Sequence, residues 1–361
     1  MGQPLNVGVI GCGTIVGAYL ATLPRLHAVR LVAAADIVSA RAEAVARTYP
    51  DVRASSVAEL LADEQVDLVL NLTIPAAHAE VALHAISAGK SVYGEKPLAA
   101  TTAEGRAVLE AAAAARVHVG CAPDTVLGTG IQTARKAIDD GLIGRPISAL
   151  ATMVTPGHEL WHPNPDFYYV PGGGPLLDMG PYYVSTLVTL LGPVAAVVGV
   201  ASHTRSSRTI GSGPRQGEVI PVSTDTHVTG VLTHTSGALS TLFMSFDAVA
   251  SVAANIEVHG ERGSLAVPDP NVFDGDVRLR TLESEHWGTL PVSAGYVQAS
   301  RGFGLEDLAT TPAGSEPRAG GKLAFHVLDV MESLHVSARE GRTIAIASRC
   351  ERPPAVPLKA V

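Results

Sequence analysis

The stretch GVIGCGTIVG, residues 8–17, decides how the chain begins to fold. An apolar run at residues 5–10 enters it and a helical pattern at residues 14–23 leaves it, so it reads as a strand-to-helix turn. Gly11 and Gly13 supply the tight turn and let bare backbone N–H groups approach a pyrophosphate. The third position of that fingerprint holds Val16, where a small residue is usual, and Gly17 comes one later. Alone the turn is a weak signal, since a plain loop explains it too. Its surroundings strengthen it. A second strand-like run, residues 30–36, ends in Asp36, 25 positions after Gly11. A carboxylate there accepts hydrogen bonds from a ribose 2′-hydroxyl and repels a 2′-phosphate. Asp36 therefore favours NAD, while Ser39 and Arg41 keep NADP open as a second reading.

Outward from the turn, short apolar runs alternate with alanine-rich helical stretches. Residues 39–48, 78–88 and 102–115 read as helices. Residues 68–73, 91–93 and 117–120 read as strands. Such alternation with short connections builds a parallel sheet covered by helices on both faces, a doubly wound α/β domain. The character changes near residue 122. Beyond it, residues 130–140 read as a helix and 148–155 as a strand. Period-two runs such as DTHVTGVLTHT (225–235) then turn at Ser236-Gly237 into ALSTLFMSF, the pattern of antiparallel strands. Residues 301–321, rich in Gly, Ala, Thr and Pro, read as a mobile loop, and 322–340 as a closing helix stopped at Gly341. The division expected is a dinucleotide-binding domain at 1–122 and a second α/β domain at 123–361.

Composition narrows the function classes. Of 361 residues, 47% are hydrophobic and 17% charged, as in an ordinary globular α/β protein. The net charge of −8 comes without a basic block, which argues against nucleic acid and anionic membranes as partners. The apolar run from Tyr183 to Ala201 is broken by Gly192-Pro193 and reads as helix, turn and strand, not a membrane span. Three scattered cysteines (Cys12, Cys121, Cys350) fit a reducing cytoplasm better than a disulfide framework, and the N-terminus carries no signal-peptide pattern.

Three further stretches carry chemistry. In YGEKPLA (93–99), Lys96 follows a strand at the edge where open α/β sheets bind ligands, although Glu-Lys-Pro is also a common loop tripeptide. In PGGGPLLDMGPYYV (171–184), Asp178 and Tyr182 stand four apart, on one face if helical. They read as a proton relay beside a substrate, or as a helix cap and a core aromatic. HELWH (158–162) matches the zinc-hydrolase pattern through His158, Glu159 and His162, but that constellation needs a regular helix. Pro156, Gly157, Pro163 and Pro165 surround it, and proline disfavours helix in the residue before it. No metal site is expected. A His/Glu/Trp loop without helix suits a polyhydroxylated ligand, Trp161 lying against a sugar ring and His158 and Glu159 bonding its hydroxyls, or else is a structural loop.

Together these motifs resemble the glucose-fructose oxidoreductase/inositol dehydrogenase/rhizopine-catabolism (Gfo/Idh/MocA) oxidoreductases. The likeness rests on NVGVIGCG, LNLTIPAAHAEVALHAISAGKSVYGEKPLA, GLIGRP, GGGPLLDMGPYY and VHGERGSLAVPDPN. It implies a Rossmann domain followed by an α/β domain whose open, largely antiparallel sheet forms a homodimer or homotetramer interface. It also implies a catalytic set of Lys96, Asp178 and Tyr182. Gly11, Gly13, Asp36, Thr73, Pro75, His78 and Glu95 would line the cofactor site, with Thr14, Ile15, Asn71 and Lys96 beside them. Two departures stand out. Tyr182 occupies a place where many members carry histidine. GCAPDTV (120–126) has Pro123 and Asp124 where many carry arginine, and Asp124 reads as a substrate ligand or a helix cap. His326, on the closing helix, reads as a core histidine or a further substrate ligand.

The function expected is hydride transfer between a nicotinamide and a secondary alcohol or ketone of a sugar, polyol or related cyclic compound. Three other readings stay open: a glycosidase-type hydrolysis using bound NAD transiently, a non-catalytic sugar- or dinucleotide-sensing regulator, and the zinc hydrolase of HELWH.

Overall fold

A computed structural model describes residues 3–312 and 314–360. The chain forms two compact units. The first holds residues up to 128, 295–328 and 356 onwards; the second holds 129–294 and 329–355. The expected single division at residue 122 is thus replaced by a chain that returns twice to its first unit.

In that unit β1 (Leu5–Ile10), α1 (Val16–Thr22), β2 (Val29–Ala35), α2 (Ser39–Thr48), β3 (Arg53–Ser55) and α3 (Val57–Ala62) come first. Then follow β4 (Leu68–Asn71), α4 (His78–Ser87), β5 (Ser91–Gly94), α5 (Thr102–Ala115) and β6 (Val119–Cys121). The strands form a parallel sheet in the order β3-β2-β1-β4-β5-β6. Helices cover both faces of such a sheet, so its inner strands read as continuous apolar runs. Every residue of β4 is buried, as are Ala33, Ala34 and Ala35 at the end of β2. β3 and α3 went unread, although Ser56 and Glu59 form a full capping box ahead of α3.

The second unit begins with α6 (Thr129–Asp139), β7 (Pro146–Val154), α7 (Pro175–Leu191) and β8 (Val194–Ser202). A hairpin of β9 (Ser207–Thr209) and β10 (Val219–Pro221) follows. Next come β11 (His227–His234), β12 (Leu239–Ser245), β13 (Ile256–Gly260), β14 (Gly263–Val267), β15 (Arg278–Thr281) and β16 (Gly288–Thr289). The chain returns to the first unit with β17 (Tyr296–Val297) and α8 (Phe303–Ala309), and passes back to the second within α9 (Gly321–Glu340). It ends with β18 (Ile344–Ala345) and β19 (Lys359–Ala360). The second unit's nine-stranded sheet runs β16-β15-β14-β13-β7-β12-β11-β8-β18, antiparallel except where β12 meets β7.

The loop expected at 301–321 is corrected by α8. Phe303, Leu305 and Leu308 are buried at 0–1% exposure, and a short helix, buried along nearly its whole length, forms around them despite its glycine-rich flanks. Ala313 lies outside the described residues.

Packing in the second sheet turns on one pair. Gly199 of β8 and Gly230 of β11 face each other across the ladder, and both meet Leu334 of α9. A Cβ on Gly230 would stand 2.7 Å from Leu334 Cδ2 and 2.8 Å from the Val198 carbonyl oxygen. Gly230→Ala is therefore expected to destabilise the protein by about 1–3 kcal/mol through overpacking. Leu334→Ala should cost about 2–5 kcal/mol through a cavity. Because one methyl fills space the other vacates, the double variant should lose less than the sum in urea unfolding.

Candidate active site

In the first unit the loops at the carboxyl ends of four neighbouring strands, β2, β1, β4 and β5, carry the expected cofactor residues. Gly11 has φ +97°, and a Cβ on it would lie 2.7 Å from the Leu72 carbonyl carbon, so only glycine fits. Gly13 differs: a Cβ there would meet nothing within 4 Å. The protein's own packing does not require glycine at 13, and its absent side chain leaves Thr14 and Ile15 at the start of α1 behind bare backbone.

Asp36, just past β2, is fixed by the turn it faces. Its Oδ2 accepts the Cys12 N–H at 2.7 Å and its Oδ1 the Val38 N–H at 2.8 Å. Arg41 stands 3.7 Å away with its side chain 55% exposed. Burial and the Asp36 charge push the Cys12 thiol up to about 11, so it stays protonated beside the carboxylate.

Beyond β4, Asn71 shapes the loop from within. It is 1% exposed, donates to the His78 carbonyl at 3.0 Å, and accepts the Thr73 hydroxyl at 2.6 Å. His78, also buried, holds Nδ1 2.6 Å from the Pro97 carbonyl and Nε2 3.0 Å from that of Thr73. It ties the Thr73 loop to the Lys96 loop, while Pro75 opens an exposed 3₁₀ turn. Asn71 and His78 thus brace the Thr73 and Lys96 loops from within. Half-buried Glu95 is held in the same manner. Its Oε1 accepts from the Tyr19 hydroxyl at 2.8 Å and its Oε2 from the Lys96 N–H at 3.1 Å. Tyr19, the one aromatic of α1, is fully buried; burial first and Glu95 second raise its phenol well above the ordinary range. Lys96 itself is half-buried.

Of the two readings of Asp124, its contacts favour the cap over the substrate ligand. It is fully buried, and its Oδ2 accepts the N–H groups of Gly302 (2.8 Å) and Gly304 (3.0 Å), anchoring the start of α8. It serves as a cap, not a substrate ligand. His326 is likewise fully buried.

In the second unit Asp178 sits in the first turn of α7 and Tyr182 one turn on, the tyrosine 4% exposed. The GGG ahead of them has a steric cause. A Cβ on Gly173 would stand 2.4 Å from the Phe167 carbonyl oxygen, and one on Gly174 2.6 Å from that of Asp225. His158 reaches the same carboxylate: its Nε2 lies 3.2 Å from Asp178 Oδ2. Trp161 is 57% exposed and packs edge-on against the His158 ring.

HELWH forms one 3₁₀ turn, His158–Leu160, and its two histidines serve different neighbours. His162 accepts the Asn164 N–H at 3.1 Å. Glu159 is buried, its Oε1 3.0 Å from Arg208 Nη1 and its Oε2 taking the Tyr169 hydroxyl. Arg208 also donates to the carbonyls of Pro156 and Phe246 and to Asp247. Among the described residues no group of three or more His, Cys, Asp or Glu could hold a metal ion. Nothing in FYYV, SRT or FDA marks Tyr169, Arg208 or Asp247; only folding brings Tyr169 and Arg208 to Glu159 and Asp247 to Arg208. Tyr19 left a faint signal as an aromatic in an alanine-rich helix.

These features define an oxidoreductase with a dinucleotide-binding domain, and comparison agrees. Residues 5–122 match the oxidoreductase family, NAD-binding Rossmann fold, and residues 131–266 the GFO/IDH/MocA C-terminal domain. The chain belongs to the Gfo/Idh/MocA oxidoreductase family. It is 33% identical over 239 residues to 1,5-anhydro-D-fructose reductase of Ensifer adhaerens, spanning 64% of this chain and 66% of that protein. It is 26% identical over 349 residues to inositol 2-dehydrogenase of Rhizobium meliloti, spanning 95% and 99%. The structure of a levoglucosan dehydrogenase in complex with NADH and L-sorbose superposes with a TM-score of 0.79, at 22% identity, covering 96% of this chain and all of that one.

Two outcomes follow from buried charge. Burial pushes Asp124 up to about 6 from 3.8, so the folded state holds its proton more tightly than the unfolded chain. Stability should therefore fall as pH rises through that window, by up to about 3 kcal/mol. Asp124→Asn, which keeps the acceptor for Gly302 and Gly304, should lose that part of the decline when urea midpoints at pH 4 and pH 8 are compared. Arg208→Met leaves Glu159 and Asp247 buried without their cation and should cost about 3–5 kcal/mol, measured as a fall in unfolding midpoint.

Proposed function

We propose that the protein is an NAD-dependent dehydrogenase or reductase acting on a secondary alcohol or ketone of a sugar, polyol or related cyclic compound. The observation that carries the reading is the gathering of Asp36, the Gly11–Gly13 turn, Thr73 and Lys96 at the carboxyl ends of four adjacent parallel strands. That edge is where open α/β sheets hold nucleotides. The residues fit the cofactor: Gly13 offers bare backbone to a pyrophosphate, and Asp36 retains lone pairs for a ribose diol. Bound NAD would supply the hydride acceptor at nicotinamide C4. Lys96 then stabilises negative charge growing on the substrate oxygen, Tyr182 takes or returns the hydroxyl proton, and Asp178 orients them. Trp161, exposed beside the His158–Asp178 pair, offers an indole face for a sugar ring.

The reading extends to assembly and location. Leu150 of β7, Leu239 of β12 and Val198 and Val200 of β8 stand 43–62% exposed on the second sheet, apolar surface suited to a second copy in a homodimer or homotetramer. No described helix is long and apolar enough to cross a membrane, and the three thiols are unbridged, as a cytoplasmic setting favours.

The test combines binding and turnover. Purified protein titrated with NADH and NADPH should bind NADH more tightly, because the Asp36 charge repels a 2′-phosphate. With NAD and a panel of sugars and polyols, Lys96→Ala should lose about 100- to 1,000-fold in kcat while NADH binding persists. Undiminished turnover in that variant would overturn the assignment of Lys96.

A further inference from the structure

The imidazole of His158 is turned toward Asp178, and the way it is held limits what it can do. An ionised carboxylate offers only lone pairs, so across the 3.2 Å contact the ring Nε2 must be the donor. Its Nδ1 is buried and makes no hydrogen bond. The rings of Tyr168, Phe246 and Trp161 surround the imidazole at centroid distances of 4.5, 4.3 and 5.2 Å. A lone pair or an N–H left unpaired there forfeits hydration alike, so the choice rests on Nε2, where the carboxylate requires a proton and one proton suffices. The setting selects the tautomer whose single proton is on Nε2. The backbone beneath is held as well. The His158 N–H donates to the Tyr169 hydroxyl oxygen at 3.0 Å, and Tyr169 donates to Glu159, the partner of Arg208. Gly157, at φ +126°, leaves no room for a side chain beside that carboxylate.

We propose that His158 is a positioning residue: it donates from Nε2 to Asp178 and fixes the carboxylate's orientation, while the buried Glu159–Arg208–Asp247 network keeps the imidazole in place. The role differs from that of a substrate-hydroxyl ligand and from that of an acid or base. It rests on the reading of Asp178 as a member of the catalytic set.

Two substitutions separate the roles. Glutamine can set an N–H where Nε2 stands but cannot exchange its proton; leucine fills similar space with no donor. His158→Gln should keep kcat within about threefold of the parent with an unaltered pH profile, and His158→Leu should lose up to about 100-fold in kcat with KM and NADH affinity little changed. If glutamine fails as badly as leucine and one limb of the pH profile disappears, the ring itself carries the proton and the proposal falls. A rise in KM at constant kcat in both variants makes His158 a substrate ligand and also overturns it, as does unchanged kinetics in both. A second readout needs no substrate: long-range 1H–15N correlation of the unliganded protein should show His158 with its proton on Nε2. A proton on Nδ1 would sink the positioning role even in an active enzyme. If no sugar or polyol is turned over, the tautomer alone decides the geometry, and the failure belongs to the dehydrogenase reading.

Discussion

The contact on which the first unit depends is the approach of the Gly11 backbone to the Leu72–Thr73 peptide. A Cβ at Gly11 would lie 2.7–2.8 Å from those backbone atoms, so β1 and β4 can end side by side only because the residue between them has none. Once they do, Asp36 can reach back to the Cys12 N–H, Asn71 can close the Thr73 loop, and His78 can bridge to Pro97. The cofactor edge is a set of loops, each fixed by a side chain from its neighbour. That explains why several residues near it serve as walls.

The second unit is organised around charge removed from water. Arg208, with its side chain 1% exposed, stands between Glu159 and Asp247 and takes two backbone carbonyls as well. A buried ion pair is weak evidence of stability, because desolvation offsets much of the attraction. What it does supply is geometry: a guanidinium with both terminal nitrogens committed permits few arrangements of the loops it joins. Here those loops are the HELWH turn, the β9 strand and the end of β12, and the turn presents His158 to Asp178.

Legibility followed the range of the interactions. The glycine turn, Asp36, the Lys96 loop and the GGG ahead of α7 leave local marks in the sequence, at a tight turn, a strand end and a helix start, although the backbone that excludes a side chain at Gly11 and Gly174 comes from Leu72 and Asp225. The capping box before α3 was equally local and was passed over only because its helix is six residues long. Asp124 stays open between two roles in the sequence because a carboxylate after a strand looks the same whether its partner is a sugar or the amides of Gly302 and Gly304. α8 was hidden by its flanks, since glycine and proline signal a loop whether or not a short apolar helix lies between them.

HELWH shows where the boundary lies. The prolines and glycine around it were enough to rule out the regular helix that a shared zinc would need, because they act on backbone angles within a residue or two. The chain by itself therefore determined the alternating α/β pattern, the glycine turn after the first strand and the lack of a regular α-helix at 158–162. Which carboxylate His158 would meet, and that Glu159 would be buried against Arg208 some fifty positions later, were decided by tertiary structure alone. Local backbone preference is written in adjacent residues; the partner of a buried charge is chosen by whatever the completed fold brings within hydrogen-bonding distance and shields from water.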